Sequence, residues 1–163
     1  MDYQMIAYAL LGALAIALAI AATTDFLRRK IYNWLVLAIV VLAPVWWWVA
    51  ALEPWPEMAI QLGMAVATFA VGAGLFALGA MGGGDVKLIS ALALWFAPLI
   101  YLKFLFLTAL IGGLLTILFA GFHVARRRKD KIAIPYGMAI AAAGLWTIFS
   151  TYGAFLGLTG ATA

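Results

Sequence analysis

Ile6–Thr24 (IAYALLGALAIALAIAATT) runs without a single charge and is followed at once by Asp25-Phe26-Leu27-Arg28-Arg29-Lys30. About 20 apolar residues in a helix cross the ~30 Å hydrocarbon core of a bilayer, so this stretch reads as a transmembrane span. The small residues Ala19–Ala22 also resemble a secretory cleavage site, but a signal peptide carries its positive charge ahead of the apolar run. Here Asp2 comes before the run and the cations come after it. The expectation is a retained span with its N-terminal end outside.

Composition extends that reading to the whole chain. Of 163 residues, 68% are hydrophobic and only 10% charged, and mean hydropathy is +1.14, whereas soluble domains carry ~25% charged residues. Six spans at ~20 residues each would take ~120 residues and leave ~40 for loops and ends. They fall at about Ile6–Thr24, Trp34–Leu52, Met58–Ala80, Val86–Ala97, Phe104–Phe122 and Pro135–Leu158. Glu53-Pro54-Trp55-Pro56-Glu57 closes the second as a short loop. Trp46, Trp47 and Trp48, just before it, read as an interfacial aromatic belt. Gly82-Gly83-Gly84 breaks the third helix and Pro98 ends the fourth. At ~1.5 Å per residue the fourth covers only ~18–20 Å, too little to cross unaided. Gly63 with Ala67, and Ala70 with Gly74, read as positions of close packing between helices.

Orientation follows from basic residues, which gather in cytoplasmic loops. Loops after spans one, three and five hold nine of the ten: Arg28, Arg29, Lys30, Lys87, Arg126, Arg127, Arg128, Lys129 and Lys131. The other side holds Lys103, together with Asp2, Glu53 and Glu57. The expected fold is an all-α polytopic membrane protein, one integral-membrane domain over residues 1–163. It has six transmembrane helices, one of them short, and both termini outside. The net charge of +4 then reflects topology and contact with anionic lipid headgroups, not nucleic-acid binding.

Zero cysteines exclude disulfides, thiol nucleophiles and Cys-ligated metals, and one histidine, His123, leaves little for a multi-His site or a Ser-His triad. No cofactor and no metal are expected; a divalent ion bridging two acids is the open alternative, although two carboxylates alone make a weak site. Chemistry must come from carboxylates, hydroxyls or amines. Asp2, Glu53, Glu57 and Asp130 read as solvated loop charges, but Asp25 and Asp85 abut apolar spans at the same cytoplasmic boundary. Ionisable groups at membrane depth are costly and mark functional sites. The bland alternatives are an ion pair of Asp25 with Arg28 or Arg29 and a helix N-cap for Asp85. The N-cap does not explain Gly82, Gly83 and Gly84, which suit a loop that another backbone approaches closely, as in strand addition. Two adjacent carboxylates cannot both ionise easily. One can activate water while the other protonates a carbonyl oxygen, which is aspartyl peptide hydrolysis.

The segment Gly82-Gly83-Gly84-Asp85-Val86-Lys87-Leu88 resembles the GxGD signature of intramembrane aspartyl proteases, and more narrowly the type IV prepilin peptidases. Thr24-Asp25, with Arg28-Arg29 and Ile31-Tyr32-Asn33, is similar to their first-aspartate segment, although the family usually shows proline where Tyr32 stands. Ile134-Pro135-Tyr136-Gly137 resembles the start of their last helix, which makes Asn33, Pro135 and Gly137 structural motif residues. The resemblance implies catalytic Asp25 and Asp85. It implies a prepilin substrate, a short cytoplasmic leader followed by an apolar helix, cut after glycine at the membrane boundary. It also implies a bacterial inner membrane. The chain is similar to the short form found in tight-adherence (Flp) pilus systems. Only 24 residues precede Asp25 and there is no cysteine, so N-methyltransferase activity is not expected.

Lys87 reads as a snorkelling lysine, with a hold on the leader or on Asp85 as the alternative. Asn33 reads as a cap of the second span or a contact of the site, and His123 as interfacial. Two other functions use the same residues. A proton- or cation-coupled transporter would place the acids near mid-membrane, within broken helices of related halves. A non-catalytic assembly subunit would survive loss of either acid.

Overall fold

The computed structural model describes residues 3–125 and 135–153, apart from the side chains of residues 123–125. These residues form six helices, and no strand occurs among them: α1 (Tyr3–Arg28), α2 (Asn33–Val49), α3 (Ala59–Ala77), α4 (Gly83–Leu92), α5 (Pro98–Ala125) and α6 (Tyr136–Tyr152). The segment Pro54–Met58, in which Trp55 has extended backbone (φ −136°, ψ 128°), leads into α3. Tyr3–Arg28, Pro54–Ala77 and Pro98–Phe122 are long and apolar enough to cross a membrane. On α3 and α5, large apolar side chains such as Val66, Phe69, Phe106 and Ile117 are exposed. Contiguous apolar faces of this kind are rare on soluble monomers and suit contact with lipid. The chain is a membrane protein. Asp2, the basic cluster Arg126–Lys131 with Asp130, and the end of the sixth span lie outside the described residues.

Helix neighbours define a closed circuit, α1–α2–α4–α3–α5–α6 and back to α1, with α4 also touching α6 across it. The short helix α4 has ten residues, a rise of ~15 Å. Seven of them, Asp85, Val86, Leu88, Ile89, Ser90, Ala91 and Leu92, are buried. Protein therefore surrounds most of α4, and its shortness costs little contact with lipid.

A helix that stops inside a bundle leaves carbonyl groups without partners, and buried carbonyls need donors. Tryptophans supply them. Trp47 Nε1 donates to Leu94 O at 2.7 Å and Trp46 Nε1 to Trp95 O at 3.1 Å, just past the end of α4. Trp95 Nε1 in return donates to Ile39 O on α2 at 3.0 Å. The aromatic-belt expectation is thus corrected for two of its three residues: Trp46 and Trp47 are 6% and 9% exposed, and only Trp48, at 63%, faces outward.

Two boundaries differ from expectation. Pro98 does not end the fourth helix, which stops at Leu92, but opens α5, which starts six residues earlier than Phe104. Proline suits a first helical position, where its missing N–H has no intrahelical partner to lose. The glycine run does not break the third helix either. Gly79, at φ +72°, does so. Its N–H donates to Phe76 O and the Ala80 N–H donates to Leu75 O, both at 2.9 Å, the paired bonds of a Schellman stop. Gly83 and Gly84 instead form the first turn of α4. The close-packing glycines also differ from those expected. Gly63 and Gly74 face nothing within 4 Å, whereas a Cβ on Gly72 would sit 2.7 Å from Val86 and one on Gly144 2.8 Å from Leu18. The Gly63–Gly74 stripe lies on an exposed side of α3.

Candidate active site

Asp25 lies in the last turn of α1, in register with the buried stripe Leu11, Leu14, Leu18 and Ala21. That spacing of three and four residues keeps one helical face toward the bundle, so the carboxylate is directed inward and is 7% exposed. It meets the start of α6. The backbone N–H groups of Gly137 and Met138, in the first turn of that helix, face the carboxylate. The Met138 N–H also donates to Pro135 O at 3.2 Å, and the positive end of the helix dipole favours an anion there. Oδ2 is buried with no hydrogen-bond partner, leaving one acceptor of the pair uncommitted. Gly137 has no room for a side chain, since a Cβ there would be 2.8 Å from Oδ2.

Asp85 sits at the third position of α4 and is 9% exposed. The N-cap is Gly82, not Asp85, which corrects the bland reading of that acid. Its carboxylate reaches back to the Gly82 backbone N–H, the return half of a capping box. A Cβ on Gly82 would fall 2.7 Å from Asp85 Oδ2. A Cβ on Gly84 would fall 3.0 Å from Ile31 Cβ, so that glycine serves a close approach within the chain itself.

The two carboxylates come from different helices, yet they line one cavity of about 340 Å³. Arg29, Asn33 and the glycine run Gly82-Gly83-Gly84 share its wall. The bland alternative, an ion pair of Asp25 with Arg28 or Arg29, is absent among the described residues. Arg28 Nη1 donates to Tyr32 OH at 3.0 Å, and the Arg29 guanidinium lies over Phe119, 5.8 Å from the ring centroid. Asn33 does not cap α2, whose N-cap is Tyr32 with no side-chain bond. Instead its Oδ1 accepts from Lys87 Nζ at 3.0 Å, which ties two sequence candidates together and fixes the lysine on Asn33. Pro135 is buried before α6. Glu53 and Glu57 are exposed, as solvated loop acids should be, and the side chain of His123 lies outside the described residues.

Sequence reasoning quoted Tyr136 in the motif that opens α6 but did not single out its partners Gly112 and Thr116. Tyr136 OH lies 3.0 Å from Thr116 Oγ1 on α5, and its ring passes over Gly112, where a Cβ would meet it at 3.3 Å. Gly112 and Thr116 are four residues apart, one helical turn, which is a readable signal only once Tyr136 is known to face α5. Among the described residues no group of three or more His, Cys, Asp or Glu side chains could hold a metal.

Residues 12–117 match the type IV leader peptidase family. The matched stretch, well over half of the chain, contains Asp25, Asn33, the glycine run, Asp85 and Lys87, and it stops before Pro135 and Gly137. No curated protein matches the chain, nor does any solved structure.

Proposed function

Because this chain belongs to the type IV leader peptidase family, and is a membrane peptidase, we propose that it is an intramembrane aspartyl endopeptidase with Asp25 and Asp85 as its acid–base pair. The observation that carries the reading is the shared cavity: two acids sixty positions apart in the chain line one space. In the proposed reaction the pair shares one proton. The ionised carboxylate takes a proton from water as the water oxygen attacks the scissile carbonyl carbon. The protonated carboxylate donates to the carbonyl oxygen. The tetrahedral diol then collapses, the C–N bond breaks, and a proton passes to the leaving nitrogen. The pair titrates as a unit, so neither acid holds a fixed role.

The substrate in this reading is a prepilin of the Flp-like class, cut after a glycine between its short leader and its apolar helix. The bias of basic residues toward the Asp25 side supports a cytoplasmic site in a bacterial inner membrane. No methyl transfer accompanies cleavage.

Co-expression with candidate prepilins, with the new N-terminus mapped by mass, tests the proposal. Asp25→Asn and Asp85→Asn should each abolish cleavage while the protein still inserts, and the double variant should be no worse, because residues acting as one unit fail together. Asp2→Asn, Glu53→Gln, Glu57→Gln and Asp130→Asn should keep activity. Full cleavage by either single aspartate variant overturns the dyad and favours a non-catalytic assembly subunit. Ion-gradient-driven flux lost in the same variants, with no cleavage by wild type, favours a transporter.

A further inference from the structure

A second cavity has in its lining Lys87, which is hydrogen-bonded to Asn33 in the wall of the first. It holds about 330 Å³ and lies between α2 and α3, with α4 as its floor. Each helix contributes to its lining: Val36 and Val40 from α2, Ala65, Val66 and Phe69 from α3, Ala91 from α4 and Leu94 just past the end of α4. The helices are splayed there, since α2 and α3 pack on α4 far more than on one another. Ser90, the polar residue of the floor, donates its hydroxyl to Val86 O at 2.8 Å, which leaves the floor apolar in effect. Val40 and Val66 are exposed, so the groove opens sideways, away from the bundle interior.

Lys87 stands at one end of this groove, two residues from Asp85. Its ammonium is bonded to Asn33, and Asn33 lines the carboxylate cavity. The Lys87–Asn33 bond therefore lies on the boundary between the two spaces. We infer that the groove between α2 and α3 seats the apolar helix of the substrate, and that the peptide reaches the two aspartates past the Lys87–Asn33 bond. This rests on the aspartyl-peptidase reading. A substrate whose cut site adjoins an apolar helix needs an apolar seat that starts at the carboxylates and is open to lipid. The larger cavity between α5 and α6 is walled by Lys103 and Ser150, and another lies by Ala7, Leu52 and Tyr152. Both sit at the opposite end of the bundle. The α2–α3 groove meets both conditions, and its apolar wall, mostly small and β-branched side chains with Phe69 and Leu94, suits a helix laid lengthwise.

The test compares two substrates of purified protein in lipid: a full prepilin, and a short soluble peptide that carries the leader and cut site without the apolar helix. Ala65→Phe and Val66→Trp narrow the groove and should raise KM for the full prepilin about tenfold or more, with kcat and cleavage of the short peptide unchanged. Wild-type KM for the prepilin in both variants overturns the groove while leaving the dyad standing. Wild-type protein that cuts neither substrate overturns the aspartyl reading and the groove with it. A photo-crosslinking residue at position 66 in the Asp25→Asn background gives a second measure, independent of turnover. It should capture the prepilin helix, whereas the same residue in place of exposed Phe106 should not; equal capture at both positions overturns the inference.

Discussion

A methyl group at position 137 would stand 2.8 Å from Asp25 Oδ2 and 2.9 Å from its Cβ and Cγ. Carbon atoms do not approach so closely, so Gly137→Ala must push apart the carboxylate of α1 and the first turn of α6. A displacement of ~1 Å at reacting groups can cost about 10²-fold in rate, and kcat/KM for leader cleavage should fall by that order. Gly63→Ala, which meets nothing within 4 Å, should leave kcat/KM unchanged in the same assay. Much of this site could be read in the chain before any coordinates. A carboxylate at the edge of an uncharged run is rare enough to mark both Asp25 and Asp85. The register of Asp25 with Leu11, Leu14, Leu18 and Ala21 was also there to be read. The meeting of Asp25 with Gly137 was not, because no local pattern says which distant backbone a buried acid will face.

At the scale of single helices, α4 depends on α2 to close its end. Trp47→Phe keeps most of the ring but removes the N–H that Leu94 O accepts, and an unpaired buried acceptor costs ~1–3 kcal/mol. Thermal unfolding in detergent should show a lowered Tm for this variant. Trp48→Phe, on the exposed side of the same helix, should stay within about 0.5 kcal/mol of wild type. Helix number was legible because the length of an apolar run is a strong signal. The junction of α4 and α5 was not. A proline marks a boundary without saying which side of it is helical, and Pro98 starts a helix where it could equally have stopped one. Trp46 and Trp47 misled for a related reason. Tryptophan suits both a membrane interface and a buried carbonyl, and only the early stop of α4 distinguishes the two.

For the molecule as a whole, charge bias predicts which end of the bundle faces which compartment. Reporter fusions after Lys30 and after Lys131 should read cytoplasmic, and one at Glu57 periplasmic; a periplasmic signal after Lys131 would reverse the orientation and remove the leader from reach of the cavity. The circuit of helices closes when α6 docks against α1, α4 and α5, and its leading turn is what Asp25 meets. A chain made from its N-terminal end contains both acids before residues 135–138 are synthesised. Until α6 docks, the Asp25 carboxylate lacks the backbone N–H groups of Gly137 and Met138 that face it. The order of synthesis leaves the completion of the first acid's surroundings to a segment made after both acids.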